Sequence, residues 1–286
     1  MLHHSRGFGG GIIAAGFSVS LLTLALMTCT GQVLAQAPET PEVAEFKDPT
    51  SLLWVNTYGN FRIKDRFFWI AETHFRFQED DDTPHAGQIA QLYNRHAISY
   101  LYSKYFQACL GGVLRVNFNT NDVLAEGEES VVPEYRIWHQ YQFAQPLSRL
   151  MIYHRLRIEH RWTRGFAEDS EYIFRNRWRY MLRAKIPLNS SKLGVGTIYA
   201  SPECELIMQS GKPVVGSPLE DLRLTGTIGY VLSPRLTLAG GFMHSLGQDL
   251  RKPNVYKQKA TIRLHAYYNL DLRKVKNRLP EIHQDE

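Results

Sequence analysis

A strict two-residue alternation runs through this chain and leaves few folds open to it. The clearest case lies near the C-terminus. Ala260, Ile262, Leu264, Ala266, Tyr268 and Leu270 form one set, and Lys259, Thr261, Arg263, His265, Tyr267, Asn269 and Asp271 the other. A helix would mix the two sets around its circumference. A strand separates them, because successive side chains point to opposite faces. Over 150–163, Leu150, Ile152, Leu156, Ile158 and Trp162 oppose Tyr153, Arg155, Arg157, Glu159 and Arg161. Over 173–186, Phe174, Trp178, Tyr180, Leu182 and Ile186 oppose Arg175, Arg177, Arg179 and Arg183. His154, His160 and Asn176 break the apolar faces.

The pattern predicts strands over 52–63, 66–78, 88–103, 106–118, 133–144, 149–163, 172–187, 193–208, 219–232, 235–246 and 257–272. Most exceed the ~5–6 residues usual in soluble sheets and suit the ~9–11 residues that cross a bilayer at a tilt. Short connections near Lys64-Asp65, Lys104-Tyr105, Gln145 to Ser148, Asn189 to Lys192 and Ser233-Pro234 alternate with long polar ones near 79–87, 119–132, 164–171, 209–218 and 247–256. Short turns at one end and long loops at the other are the habit of outer-membrane barrels. Trp54, Trp69, Tyr100, Tyr102, Trp162, Tyr172 and Tyr230 lie toward strand ends, where interfacial girdles form. The fold class expected is all-β: a closed antiparallel transmembrane β-barrel of about 12 strands, with ten as the alternative. Because eleven segments are visible and such barrels usually have an even number, a further strand is expected around 42–50. The competing soluble barrel would turn its apolar face inward and make Trp162 and Trp178 core.

Residues before the first strand read as an export signal. His3, His4 and Arg6 open it, an uncharged apolar stretch runs from Gly11 to Met27, and Ala35-Gln36-Ala37 is a small-x-small cleavage pattern. The divisions expected are a signal peptide over 1–37, a flexible Pro/Glu-rich leader over 38–50, the barrel over 51–272 and a polar tail over 273–286. An uncleaved anchor and a lipidated Cys29 are the alternatives. Cys109 and Cys204 alone would remain after cleavage, too few for a disulfide framework, and they fall on opposite-facing positions of non-adjacent strands. The formal net charge of +5 is mild, and its basic residues alternate within strands, so no nucleic-acid patch forms.

The segment Tyr153-His-Arg-Leu-Arg-Ile-Glu-His-Arg-Trp162, followed by Phe174-Arg-Asn-Arg-Trp-Arg-Tyr-Met-Leu-Arg-Ala-Lys-Ile-Pro-Leu188, resembles a bacterial outer-membrane barrel family catalogued as a domain of unknown function. Its members pair an Arg-x-Arg-x-Glu strand with an Arg-rich strand ending in Pro-Leu. A later strand has a lone glutamate, matched by Glu203, and others end in Gly-Tyr, matched by Gly229-Tyr230. The resemblance implies fold and an outer-membrane location in a Gram-negative cell, and no activity. A polar tail from Arg273 replaces the usual terminal aromatic residue.

Candidate chemistry lies on the two Arg-rich strands. Their charged sets share odd numbering and hence one face, and turn symmetry places Glu159 opposite Arg175 or Arg177. Arg155, Arg157, Arg161, Arg175, Arg177 and Arg179 then form a basic ladder containing Glu159. Such a ladder either sets an anion-preferring field in a pore or fills a plugged lumen, with Glu72, Glu203 and Glu205 as neutralising acids. His244-Ser245 is the one pair suggesting a lipid hydrolase, and adjacency on a strand turns its members to opposite faces. No enzyme activity, cofactor or metal is expected. Expected partners are outer-membrane lipid and lipopolysaccharide, the barrel-assembly machinery and a small anionic solute, with the chain a monomer. Binding through the external loops is the remaining alternative.

Overall fold

The structure, a computed structural model, describes residues 43–274 apart from 122, 215, 216, 250, 251 and 253. The expected export signal, residues 38–42 of the leader and the tail beyond 274 lie outside the described residues. The strands are β1 (Glu45–Phe46), β2 (Thr50–Arg62), β3 (Phe67–Gln78), β4 (Gln88–Ser103), β5 (Phe106–Phe118), β6 (Val131–Leu147), β7 (Leu150–Thr163), β8 (Ile173–Pro187), β9 (Ile198–Ser210), β10 (Leu219–Ser233), β11 (Leu236–Gln248) and β12 (Val255–Asp271). They form one sheet in sequential order, and β12 returns to pair with β2.

Closure explains the odd strand number. Each neighbouring pair from β2 to β12 is antiparallel, while β12 meets β2 in parallel from Lys259↔Thr50 to Asp271↔Arg62. Among an odd number of up-and-down strands the first and last run the same way, so only a parallel seam closes the ring. The strand expected around 42–50 is β1, and it adds no stave. It pairs with β12 at Glu45↔Val255 and Phe46↔Tyr256, continuing β2 along the same edge of β12. From Phe46 to Thr50 the chain spends one residue more than β12 does from Tyr256 to Lys259, and residues Lys47–Pro49 stand out of the ladder between β1 and β2. Proline, which donates no ladder bond, suits such a break.

Eleven strands therefore make a closed, mixed barrel. Two boundaries differ from the alternation pattern. Ser148, with φ of 55°, turns the chain within two residues, so β6 runs on to Leu147. The connection after β8 is longer than Asn189–Lys192. Asn189 accepts from the Ile198 amide at 2.8 Å and donates to the Gly196 carbonyl at 2.9 Å, holding the chain out of the ladder up to Ile198. Gly196 supplies the left-handed φ of 82° that this turn needs.

The barrel is inverted relative to a soluble one. Ile137, Leu110, Ile228 and Phe242 stand exposed on the outer face, and Trp178 is 45% exposed there. Arg157, Glu159, Glu205 and Glu72 are fully buried inside. Trp54 departs from the expected girdle. It points inward and lies 3.8 Å from the Arg76 guanidinium. The polar exceptions on the outer face find one another. His160 Nδ1 meets Asn176 Oδ1 at 2.7 Å across the register, and His154 Nδ1 meets the Tyr180 hydroxyl at 2.8 Å.

Candidate functional site

All seven candidate residues come together inside the barrel. The β7–β8 register sets Glu159 opposite Arg177, Arg157 opposite Arg179 and Arg161 opposite Arg175. Like charges directly opposite destabilise a sheet, so the two arginine pairs need relief. Each pair fans apart. Arg157 turns to β6, donating Nε to Gln140 Oε1 at 2.7 Å and lying over Trp138. Arg179 turns to β9, donating to Glu205 at 3.0 and 2.8 Å. Arg161 reaches Glu134 on β6 at 3.1 Å, while Arg175 reaches Gln209 on β9 at 3.5 Å and the Thr163 hydroxyl at 3.1 Å.

Acids tie Arg155, Arg161, Arg177 and Arg179 into one network. Glu159 takes ion pairs from Arg136 at 2.8 Å, Arg179 at 3.1 Å and Arg177 at 3.4 Å. Glu205 holds Arg155 at 2.9 Å and Arg179 at 2.8 Å. Glu134 holds Arg115 at 2.9 Å, Arg136 at 2.5 Å and Arg161 at 3.1 Å. Glu203 pairs with Arg183 and Glu72 with Arg95, each at 2.7 Å. Buried ions are tolerable only when paired and hydrogen-bonded, and here Glu159, Glu205 and Glu134 each hold arginines of two other strands or more.

Glu134, Arg136 and Glu220 were not among the expected site residues. Glu134 and Arg136 carried a signal, sharing one face at a spacing of two. Glu220 carried none. A register shift between Leu219 and Asp221 turns both Glu220 and Asp221 inward, where strict alternation would send Glu220 outward. There it pairs with Arg177 at 2.9 Å and Arg161 at 3.3 Å.

Little space is left at mid-height. The cavity among Arg76, Arg155, Arg179, Glu205 and Arg263 holds ≈ 50 Å³. A water site needs about 10–15 Å³, so this space takes a few waters. Toward the short-turn end Tyr153, Tyr199 and Tyr267 surround the Lys185 ammonium at 5.2–5.9 Å. Gly229 leaves room for the Tyr199 ring, which lies against its Cα. At the long-loop end the interior opens into a vestibule of ≈ 530 Å³.

The other candidates are separated by the barrel wall. Ser245 is buried inside, whereas His244 lines an outer apolar furrow with Leu224 and Phe242. Cys109 is buried inside and Cys204 lies on the outer face.

Two long loops, after β5 and after β7, are joined to each other. The Glu129 amide donates to Phe166 O at 2.8 Å and the Glu168 amide to Gly127 O at 2.9 Å. Arg164 clamps the Glu129 carboxylate with two bonds of 2.7 Å. That hydrogen bonding holds the Glu129 carboxyl below its usual range. A depressed carboxyl stabilises the folded loops above its unfolded pKa, ~4.3, and the contribution is lost as pH falls through the folded value. Hydrogen-exchange protection of the Glu129 and Glu168 amides should hold from neutral pH into the ordinary carboxylate range and fall below it. Glu129→Gln should remove it at pH 7. Protection unchanged in that variant would show that the backbone bonds alone join the loops.

An eleven-stranded barrel with apolar side chains outside and an Arg–Glu network inside defines the class. The chain belongs to the DUF2490 family, described as a protein of unknown function, whose model matches residues 52–256. No curated protein and no solved structure matches it.

Proposed function

We propose that this protein is an outer-membrane β-barrel plugged by its own side chains, which acts from its long-loop end and not as an open pore. The observation that carries the reading is the filled mid-section, where the Arg–Glu network leaves ≈ 50 Å³. Apolar residues facing outward on strands of 12 to 17 residues support a bilayer as the surrounding medium. Among the described residues no helix is long and apolar enough to cross a membrane, and a closed barrel is the other structure that satisfies its backbone there. The joined loops after β5 and β7 supply a fixed surface for contact with lipopolysaccharide or a solute. No catalytic step is assigned to the chain.

Protein purified from membranes and inserted in a planar bilayer should give no conductance steps above baseline. Stable anion-selective steps that weaken in Arg157→Ala and Arg177→Ala would overturn the plug and make the ladder a selectivity element.

A further inference from the structure

The vestibule has cations that the plug does not use. Of those lining it, Arg161 is committed to Glu134 and Glu220, and Lys257 to Asp249 at 2.6 Å. The acids are likewise engaged, Glu220 by Arg161 and Arg177 and Asp221 by Arg223. Arg175 and Lys259 stand apart. Arg175 reaches only the neutral acceptors Thr163 Oγ1 and Gln209 Oε1, and its Nε is buried without a partner. Lys259 lines the vestibule, exposed, and forms no ion pair among the described residues.

We propose that the vestibule binds a phosphate-type dianion through Arg175 of β8 and Lys259 of β12. After the internal pairs are counted, these two positive charges remain on one lining, and they match an anion of charge near −2. The guanidinium fork takes two oxygens of one tetrahedral anion, and the ammonium acts as a point charge on a third. Gly247 lies against Asp221 and the Glu220 carbonyl, where a Cβ would come within 2.8 Å of the Asp221 carboxylate. A side chain there would crowd the lining. The ligand class is a phosphate, either free or carried as a monoester on a sugar of the outer leaflet. The site rests on the plugged-barrel reading, since an occluded lumen makes the vestibule a blind pocket and not a passage.

The test is calorimetric titration of the full folded chain in detergent with inorganic phosphate and, separately, glucose 1-phosphate, at constant ionic strength in chloride. Saturable binding is expected, weakened at least ~10-fold in Arg175→Gln and in Lys259→Gln. Lys212→Gln, in the exposed loop after β9, should leave it unchanged. Arg175→Lys keeps the charge and loses the fork, and should fall between. Tighter binding of the sugar phosphate would support an attached phosphate, and equal binding a free one. Absence of binding by the wild type, or binding that the two Gln variants leave intact while circular dichroism shows them folded, would overturn the site. Bilayer conductance is read independently. A conducting barrel sinks the plug with the titration still interpretable, and a silent barrel without phosphate binding sinks the site alone.

Discussion

Ile228→Arg is expected to destabilise the barrel in lipid vesicles by about 2–4 kcal/mol, the cost of arginine on a barrel's lipid face at the bilayer midplane. Ile228 lies in the middle stretch of β10, points outward and is 55% exposed. Its register neighbours are Ala200 and Gly240, which offer a guanidinium no partner. Ile173→Arg, at the long-loop end of β8, should cost only ~0–1 kcal/mol, because the penalty falls near the interface. Urea unfolding from vesicles measures both. The depth dependence is the discriminating result. In a water-surrounded barrel an exposed isoleucine exchanges for arginine at little cost wherever it sits, so two equal, near-zero effects would remove the membrane from the reading.

The second large effect is expected inside. Glu159→Gln preserves shape and removes one negative charge from beneath three guanidinium groups. Breaking a buried pair by deleting one partner costs roughly 3–5 kcal/mol, because the uncompensated charge cannot return to water. Glu159 is 0% exposed and Arg136, Arg177 and Arg179 are at most 9% exposed, so little solvent reaches the charge left behind. Adding Arg177→Met to Glu159→Gln should recover part of the loss, since the residues share one network and their effects are not additive. Unfolding midpoints of the three variants against wild type provide the measurement. A Glu159→Gln barrel within ~0.5 kcal/mol of wild type would show that the network is hydrated and that the plug is looser than its geometry implies.

Alternation made much of this legible in the residues. It separated the faces of β7, β8 and β12, placed the arginines of β7 and β8 on one side with Glu159, and left Arg175 and Arg177 as the candidates opposite that acid, between which the register chose Arg177. The family resemblance rested on the same two strands. Those are local properties, set by the two-residue period and by a single hairpin connection.

Other features have no local signal. The parallel seam depends on strands at the two ends of the chain meeting, and the parity of the whole ring decides its direction. One register shift brings Glu220 inside, and alternation cannot report its own interruption. Trp54 reads as a girdle residue until the seam shows which face of β2 turns in. The choice of acid for each arginine also waits for closure. A guanidinium on a long stem reaches past its own hairpin, as Arg155 of β7 does to Glu205 of β9, and only a closed ring brings those strands within its span. The sequence by itself determined the strands and the two faces of each, because these follow from spacing along the chain, while the charged face is seen to turn inward only in the closed barrel. The tertiary structure decided closure, partners and the filled lumen, because these depend on which distant strands share the inside.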